Sequence, residues 1–380
     1  MTYIHGDITV SQSSRHAGQP CGDVVRWQRD PQGTTLVVSD GLGHGVKANI
    51  AANMCASRLL TLLDGGLSLQ DAFTSVAGTM NRAWGSEQPF AVFTMIRVAS
   101  NGQAMVFSYE MPPPVIVGPN KASVLDMQSS VLGMAVAASA QYCFEPGEAI
   151  VVMSDGVTQS GMGTRFRLGW ESQGAANFIS SQLAAGAAHH NLPKVLLRQA
   201  LENWGPRQGD DITAAVLSLK RGNVLNILTG PPSSPNLDAE FVREFFRRDG
   251  RKVVCGGTTA KILARQTGKK LEIHQEEGDP LTPPQYAIRG IDLTSEGAVT
   301  INQVYNLLDN DLLPKDSPVA DLCRLMQGAD KIECFIGTGP NREADALVFK
   351  QLGILPRSTI IPLICQKLRQ AGKLVIQHNY

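Results

Sequence analysis

Residues 34–45 read TTLVVSDGLGHG. The first five, Thr34 to Val38, are β-branched or apolar with no turn former among them, and with Ser39 they make the composition of a buried strand. Asp40-Gly41 ends the run, and two more glycines, Gly43 and Gly45, follow within four residues. From there Val46, Ile50, Met54, Leu59, Leu60 and Leu63 fall at mostly helical spacing. The stretch therefore predicts a strand, a glycine-rich turn that carries a carboxylate, and a helix. That context is far more specific than Asp-Gly alone, which is a common turn dipeptide.

Working outward, Leu69 to Trp84 repeats the helical pattern with Phe73, Val76, Met80 and Trp84. Strands are expected at Phe90–Val98, Ala104–Tyr109, Val115–Val117, Gln141–Phe144 and Ala149–Ser154. Helices are expected around 174–185 and 193–203, and a last strand over 212–219. The order is strand, two helices, many strands, helices, strand. It predicts an α+β fold in which helices pack on antiparallel sheets, closed as a β-sandwich flanked by helices.

Four short segments share one design: Gly22-Asp23, Asp40-Gly41, Asp155-Gly156 and Gly209-Asp210-Asp211. Each sets a carboxylate at a strand end beside a glycine. Such oxygen-only ligands suit Mg²⁺ or Mn²⁺, whereas zinc normally recruits His or Cys.

In this order, Gly22-Asp23, Ser39-Asp40-Gly41-Leu42-Gly43-His44-Gly45, Ser154-Asp155-Gly156-Val157-Thr158 and Gly209-Asp210-Asp211-Ile212-Thr213 resemble the SpoIIE-like bacterial branch of the metal-dependent, type-2C serine/threonine protein phosphatases. The resemblance covers residues 1–220. It implies two Mn²⁺ or Mg²⁺ ions and hydrolysis of phosphoserine or phosphothreonine by a metal-activated water, without a protein nucleophile. Carried over by motif, Asp40 bridges the ions, Asp155 and Asp210 hold the first, and Asp23 with the Gly41 carbonyl holds the second. Asp211 is a candidate for an extra ion or for orienting Asp210. Arg15 and His44 are candidates for substrate binding, each against the plainer reading of a loop residue. Relatives act on small signalling proteins, so a phosphorylated protein resembling an anti-sigma factor antagonist is the implied partner. A non-catalytic phosphatase-like scaffold is the competing reading, but it would require lost ligands, and all the expected carboxylates are present.

The composition changes near residue 221. Residues 1–220 hold 14 basic and 16 acidic residues, and residues 221–380 hold 20 and 18. A boundary there predicts a phosphatase domain over 1–220 and a smaller α/β domain over 222–380. In the latter, Lys252–Cys255 reads as a strand and Gly256-Gly257-Thr258-Thr259 as a turn into the helix Ala260–Thr267. That turn is a candidate site for a small anionic ligand, against the plainer reading of a tight turn. Gly337 to Arg342 and Gly290 to Gly297 are two further glycine-punctuated loops. A regulatory role and an unknown activity of its own are both open for this domain, as is homodimerisation. Zero formal net charge gives no reason to expect nucleic acid. No run of 18 apolar residues is present, so no membrane span is expected. Seven scattered cysteines without a CxxC pair suit a cytoplasmic location.

Overall fold

The computed structural model describes residues 3–83, 90–132, 135–206, 209–274, 285–310, 312–313, 317–340 and 353–380. Trp84 and Arg342, singled out above, lie outside these residues. The chain forms two compact units, Ile4–Arg221 and Gly222–Tyr380, the second also taking in Tyr3.

The first unit runs β1 (Ile4–Ser13), β2 (Asp23–Asp30), β3 (Gly33–Gly41), α1 (Gly45–Asp64), α2 (Leu69–Ala83), β4 (Ala91–Ala99), β5 (Gln103–Tyr109), β6 (Val115–Val117), β7 (Ala122–Val124), β8 (Gln128–Leu132) and β9 (Ala135–Cys143). It continues with β10 (Ala149–Met153), α3 (Asp155–Thr158), α4 (Glu171–Ala184), α5 (Leu192–Trp204) and β11 (Ile212–Arg221). Its strands form two antiparallel sheets, one ordered β1-β11-β10-β6-β7 and the other β2-β3-β4-β5-β9-β8. The expectation of an α+β sandwich flanked by helices holds.

Side-chain parity builds the layers. Leu36 and Val38 of β3 face inward, against Ile150 and Val152 of β10 and Ala215 and Leu217 of β11. Val37, between them, faces outward onto Cys55 and Leu59 of α1 and Phe73 and Val76 of α2. On the other sheet Val151, Met153, Ala214 and Val216 face outward onto α4 and α5, through Ala175, Ile179, Leu196 and Ala200. Both faces of each sheet are covered, so its central strands read as continuous apolar runs rather than as alternation. Fully burying one such aliphatic or aromatic side chain contributes roughly 1.5–3 kcal/mol.

The structure adds four strands to those expected from sequence: β1, β2, β7 and β8. They are the four edges of the two sheets. The strand expected at Gln141–Phe144 is the end of the longer β9, and Asp155 opens the short helix α3 rather than lying in a plain turn.

The second unit runs β12 (Val224–Thr229), α6 (Asp238–Arg247), β13 (Arg251–Cys255), α7 (Gly257–Thr267), β14 (Leu271–His274), β15 (Gln285–Ile288), β16 (Leu293–Ser295), α8 (Ala298–Leu307), α9 (Pro318–Gly328), β17 (Lys331–Ile336), α10 (Arg357–Gln370) and β18 (Leu374–Asn379). Five strands form a parallel sheet ordered β16-β13-β12-β17-β18. Apolar clusters cover both of its faces, one built with α8, α9 and α10 and the other with α6 and α7. This is a doubly wound α/β arrangement, with the strand order reversing between β12 and β17. The polar loop expected over 290–297 contains β16.

Candidate metal centre

Two sheets deliver the carboxylates to one place. Asp23 opens β2 and pairs directly with Asp40 of β3 in the antiparallel register. Asp155 follows β10, and Asp210-Asp211 precede β11, whose Ala214 pairs with Met153. The charges of Asp23, Asp155 and Asp210 all act on Asp40, which makes it the centre of the group.

The two Asp-Gly glycines are fixed by chain crossings. A Cβ on Gly41 would lie 2.0 Å from the Ala48 carbonyl oxygen of α1. A Cβ on Gly156 would lie 2.0 Å from the Asp211 carbonyl oxygen. Glycine therefore lets a neighbouring backbone cross directly behind each aspartate. Close approach to an ion need not be invoked to explain it.

Ser154 and Thr213 of the motifs, together with Gln12, Gln159 and Trp204, which no motif announced, hold these turns. Gln12 of β1 donates from Nε2 to the Asp23 carbonyl (3.1 Å) and to Thr213 Oγ1 (3.0 Å), tying one sheet to the other. Thr213 N–H donates to Ser154 Oγ (2.9 Å). Trp204, at the end of α5, donates from Nε1 to the Gly156 carbonyl (2.8 Å). Its ring also lies against Gly209, where a Cβ would approach within 2.3 Å. Trp204 thus props both the Asp155 and the Asp210 turns. Gln159 donates to Asp155 Oδ2 (2.9 Å). Gln12, Gln159 and Trp204 lie far from the aspartates in sequence or carry no site signature, so only the fold reveals them.

The electrostatics follow from burial and like charge. Burial pushes Asp23 up to about 6, helped by the charge of Asp211 and opposed by the hydroxyls of Thr213 and Ser154. Burial, then the charge of Asp210, brings Asp155 to about 6. Asp40 is raised well above the usual carboxylate range by burial and its three acidic neighbours. Asp210 is raised by burial, opposed by the hydrogen bond from the Asp211 amide, helped by the charge of Asp211, and pulled back by the charges of Arg15 and His44. Among the described residues no basic side chain forms an ion pair with Asp23, Asp40 or Asp155.

Two oxygens carry the test for a cation. Asp23 Oδ2 and Asp155 Oδ1 are buried without a hydrogen-bond partner. A buried acceptor left unpaired costs on the order of 1–3 kcal/mol, and more when charged. Hard divalent cations satisfy such oxygens, so the donor set fits Mg²⁺ or Mn²⁺. No three of these aspartates bring one oxygen each within 4.8 Å of one another. Side chains alone thus make no single-ion cage, and water would complete the coordination, as Mg²⁺ commonly requires.

Arg15 and His44 are both exposed at the rim. His44 is the N-cap of α1 but makes no side-chain cap bond. The ring of His16, a residue the sequence did not single out, stands edge-on to it at 4.9 Å. Cys21 also lies here, 3.9 Å from Thr213 Oγ1. Burial, then the charge of Asp23, pushes its thiol up to about 12.

The chain matches the family described as Stage II sporulation protein E (SpoIIE) over residues 30–220. It belongs to the SpoIIE family. Asp40, Asp155, Asp210 and Asp211 lie within the matched span, and Asp23 joins them through the β2–β3 register. Among solved structures, the RsbU and RsbW domains of Rv1364c from Mycobacterium tuberculosis are similar at 19% identity, covering 64% of this chain and 69% of that one, with TM-score 0.48. The PP2C phosphatase domain of SpoIIE from Bacillus subtilis, with a fragment of its regulatory domain, is similar at 12% identity, covering 59% and 66%, with TM-score 0.49. The SiaA-PP2C domain of Pseudomonas aeruginosa is similar at 14% identity, covering 56% and 85%, with TM-score 0.45. No curated protein matches the chain.

In the second unit, Gly256 has φ 115° and caps α7, while Gly257, Thr258 and Thr259 form its first turn. The Gly256 amide donates to the Ser295 carbonyl (2.8 Å), and a Cβ on Gly297 would lie 3.2 Å from Gly256 Cα. The glycines here serve a tight packing of two loops. Glu296 is the charged group whose field reaches Cys255 at this turn. Where the strand order reverses, Gly339 N–H donates to the Pro231 carbonyl (3.0 Å), joining the loops after β12 and β17. Among the described residues no helix is long and apolar enough to cross a membrane.

Proposed function

We propose that the chain is a Mn²⁺- or Mg²⁺-dependent phosphatase that hydrolyses phosphoserine or phosphothreonine on a bacterial signalling protein. The observation that carries this reading is the meeting of Asp23, Asp40, Asp155 and Asp210 at one end of the sandwich, with two buried carboxylate oxygens left without donors. Asp40, central to the group, would bridge two ions. Asp155 and Asp210 would hold one of them, and Asp23 with the Gly41 carbonyl the other. When bound, such ions supply a water of lowered pKa and neutralise charge on the phosphoryl group. The chain's own residues do the rest. Arg15 puts positive charge beside Asp210 at the open rim, with His44 next to it, where phosphoryl oxygens would approach. Gln12, Ser154, Thr213 and Trp204 keep the carboxylates in register.

SpoIIE membership and the likeness to domains of the RsbU and RsbW kind favour a substrate such as an anti-sigma factor antagonist. Seven free cysteines favour a cytoplasmic setting. The second unit is read as regulatory, with the Gly256–Thr259 turn its candidate anion site. The test is hydrolysis of p-nitrophenyl phosphate and of a phosphoserine peptide with Mn²⁺, Mg²⁺ or EDTA. Turnover that requires Mn²⁺ or Mg²⁺ and stops in EDTA is expected. Absence of metal-dependent turnover on both substrates would reject the reading.

A further inference from the structure

We propose that Asp211 is a positioning residue, a clamp that holds the β1–β2 loop over the metal centre so that Arg15 stands at the phosphoryl-binding rim, and that it is not itself a metal ligand. The inference rests on the phosphatase reading above for its kinetic part and on geometry alone for the clamp. Asp211 is 3% exposed. Its Oδ1 accepts the Arg15 amide at 2.6 Å and its Oδ2 accepts the Gly22 amide at 2.7 Å. Both oxygens thus serve the two ends of one loop. This separates Asp211 from Asp23 and Asp155, each of which keeps a buried oxygen unpartnered. Two short bonds from amides to one carboxylate are of the charge-assisted kind.

The same loop is fixed elsewhere by weaker means. Asn49 of α1 donates from Nδ2 to the Cys21 carbonyl (2.8 Å), and the His16 ring meets the His44 ring. Gly22 must be glycine for the clamp to close, since a Cβ there would lie 2.7 Å from Asp211 Oδ2 and 2.9 Å from Ala48 Cβ. Asp211 also donates its own amide to Asp210 Oδ1 (2.8 Å). One residue therefore ties the rim, which carries Arg15, to Asp210, on which the Arg15 charge acts. Releasing the clamp frees the rim but leaves Asp40 on β3, Asp155 at the start of α3 and Asp210 before β11.

The experiment compares the wild type with Asp211→Asn, Arg15→Ala and the double variant, each as the full chain. Mn²⁺ stoichiometry is read by calorimetry, kinetics with p-nitrophenyl phosphate and inorganic phosphate as inhibitor, and amide exchange over residues 14–23 by mass spectrometry. Asp211→Asn keeps the size of the side chain and one acceptor. It is expected to speed exchange in the loop and to raise KM and the phosphate inhibition constant together, roughly tenfold, the scale of a hydrogen bond to a charged group. kcat and Mn²⁺ stoichiometry are expected to stay near wild type. Arg15→Ala should reproduce the KM rise, and the double variant should fall well short of the product of the two effects. Loss of one Mn²⁺ per chain in Asp211→Asn would make Asp211 a ligand and overturn the proposal. Unchanged loop exchange, or fully multiplicative kinetic effects, would overturn it as well. If Asp211→Asn does not fold, Arg15→Pro, which deletes one of the two donors, is read by the same exchange measurement. A wild type without metal-dependent turnover refutes the phosphatase reading, while exchange still decides the clamp.

Discussion

At the scale of single residues, the aspartates combine two costs. They are buried, and they repel one another, which is why Asp23 and Asp155 stand at about 6 and Asp40 higher still. Replacing Asp155 with Asn removes a charge from this group while keeping its shape. In EDTA the variant should melt higher than the wild type. In Mn²⁺ its turnover should fall at least about a hundredfold, beyond the usual cost of losing only an outer-shell partner. Opposite signs in the two assays mark a residue kept for function at the expense of stability. A variant with wild-type turnover would remove Asp155 from the ligand set. Asp40 and Asp155 were legible because each ends an apolar run and precedes glycine, and Asp210 because it stands between glycine and such a run, whereas Asp23 was legible only through its motif. Gln12 and Trp204 were not, and Thr213 was legible only as a motif residue and not in its role, because these roles depend on which strands and helices the fold brings alongside them.

At the scale of elements, the strands of the first unit legible in sequence were β3, β4, β5, β6, β9, β10 and β11, all interior to their sheets. The four that were not, β1, β2, β7 and β8, are the edges. An interior strand of this sandwich is covered on both faces and paired on both sides, so apolar side chains dominate it. β1 (IHGDITVSQS) and β2 (DVVRWQRD) are paired on one side only and carry polar and charged residues, as edge strands commonly do to avoid further pairing. Composition alone therefore under-reads them. The placement of α1 was legible from its period, but its closeness to β3 was not, because that depends on Ala48 crossing Gly41. Gly41→Ala should force the helix and strand apart and cost about 2 kcal/mol or more, the range of overpacking in a close-packed core. Chemical denaturation of the metal-free protein measures this directly, and a neutral result would show that the crossing relaxes easily. Trp204→Phe keeps an aromatic side chain but loses the bond to Gly156 and the benzo-ring contact with Gly209. It should cost about 1 kcal/mol and reduce turnover several-fold, with restored activity at high Mn²⁺ if the turn only slackens.

At the scale of the whole molecule, the even balance of 34 basic and 34 acidic residues conceals two units with opposite responses to pH. In the first, Asp23 and Asp155 are raised to about 6 when folded, against roughly 4 unfolded. Between those values the folded state holds more protons, so stability falls as pH climbs through that window, and Asp40 extends the fall upward. In the second unit burial would raise Glu333, but hydrogen bonds from Lys331 and His378 and the charges of Lys331 and Arg248 outweigh it and hold its carboxyl low. The stability Glu333 adds is fully present above about 4.5 and is lost only as pH falls below that. Scanning calorimetry in EDTA should therefore show one transition that moves up as pH is lowered from 7.5 to 5. A second should hold its position until the pH drops below about 4.5. At pH 7.5, Mn²⁺ at 100 times its Kd should raise only the first, by about 2.7 kcal/mol, roughly 5–10 °C for a unit of this size. That shift should shrink toward pH 5, because protons and cations compete for the same carboxylates. A Mn²⁺ shift of equal size in both transitions would mean that the cation does not act at the aspartates. A first transition that falls on acidification to pH 5 would mean that their charges do not repel as the geometry requires.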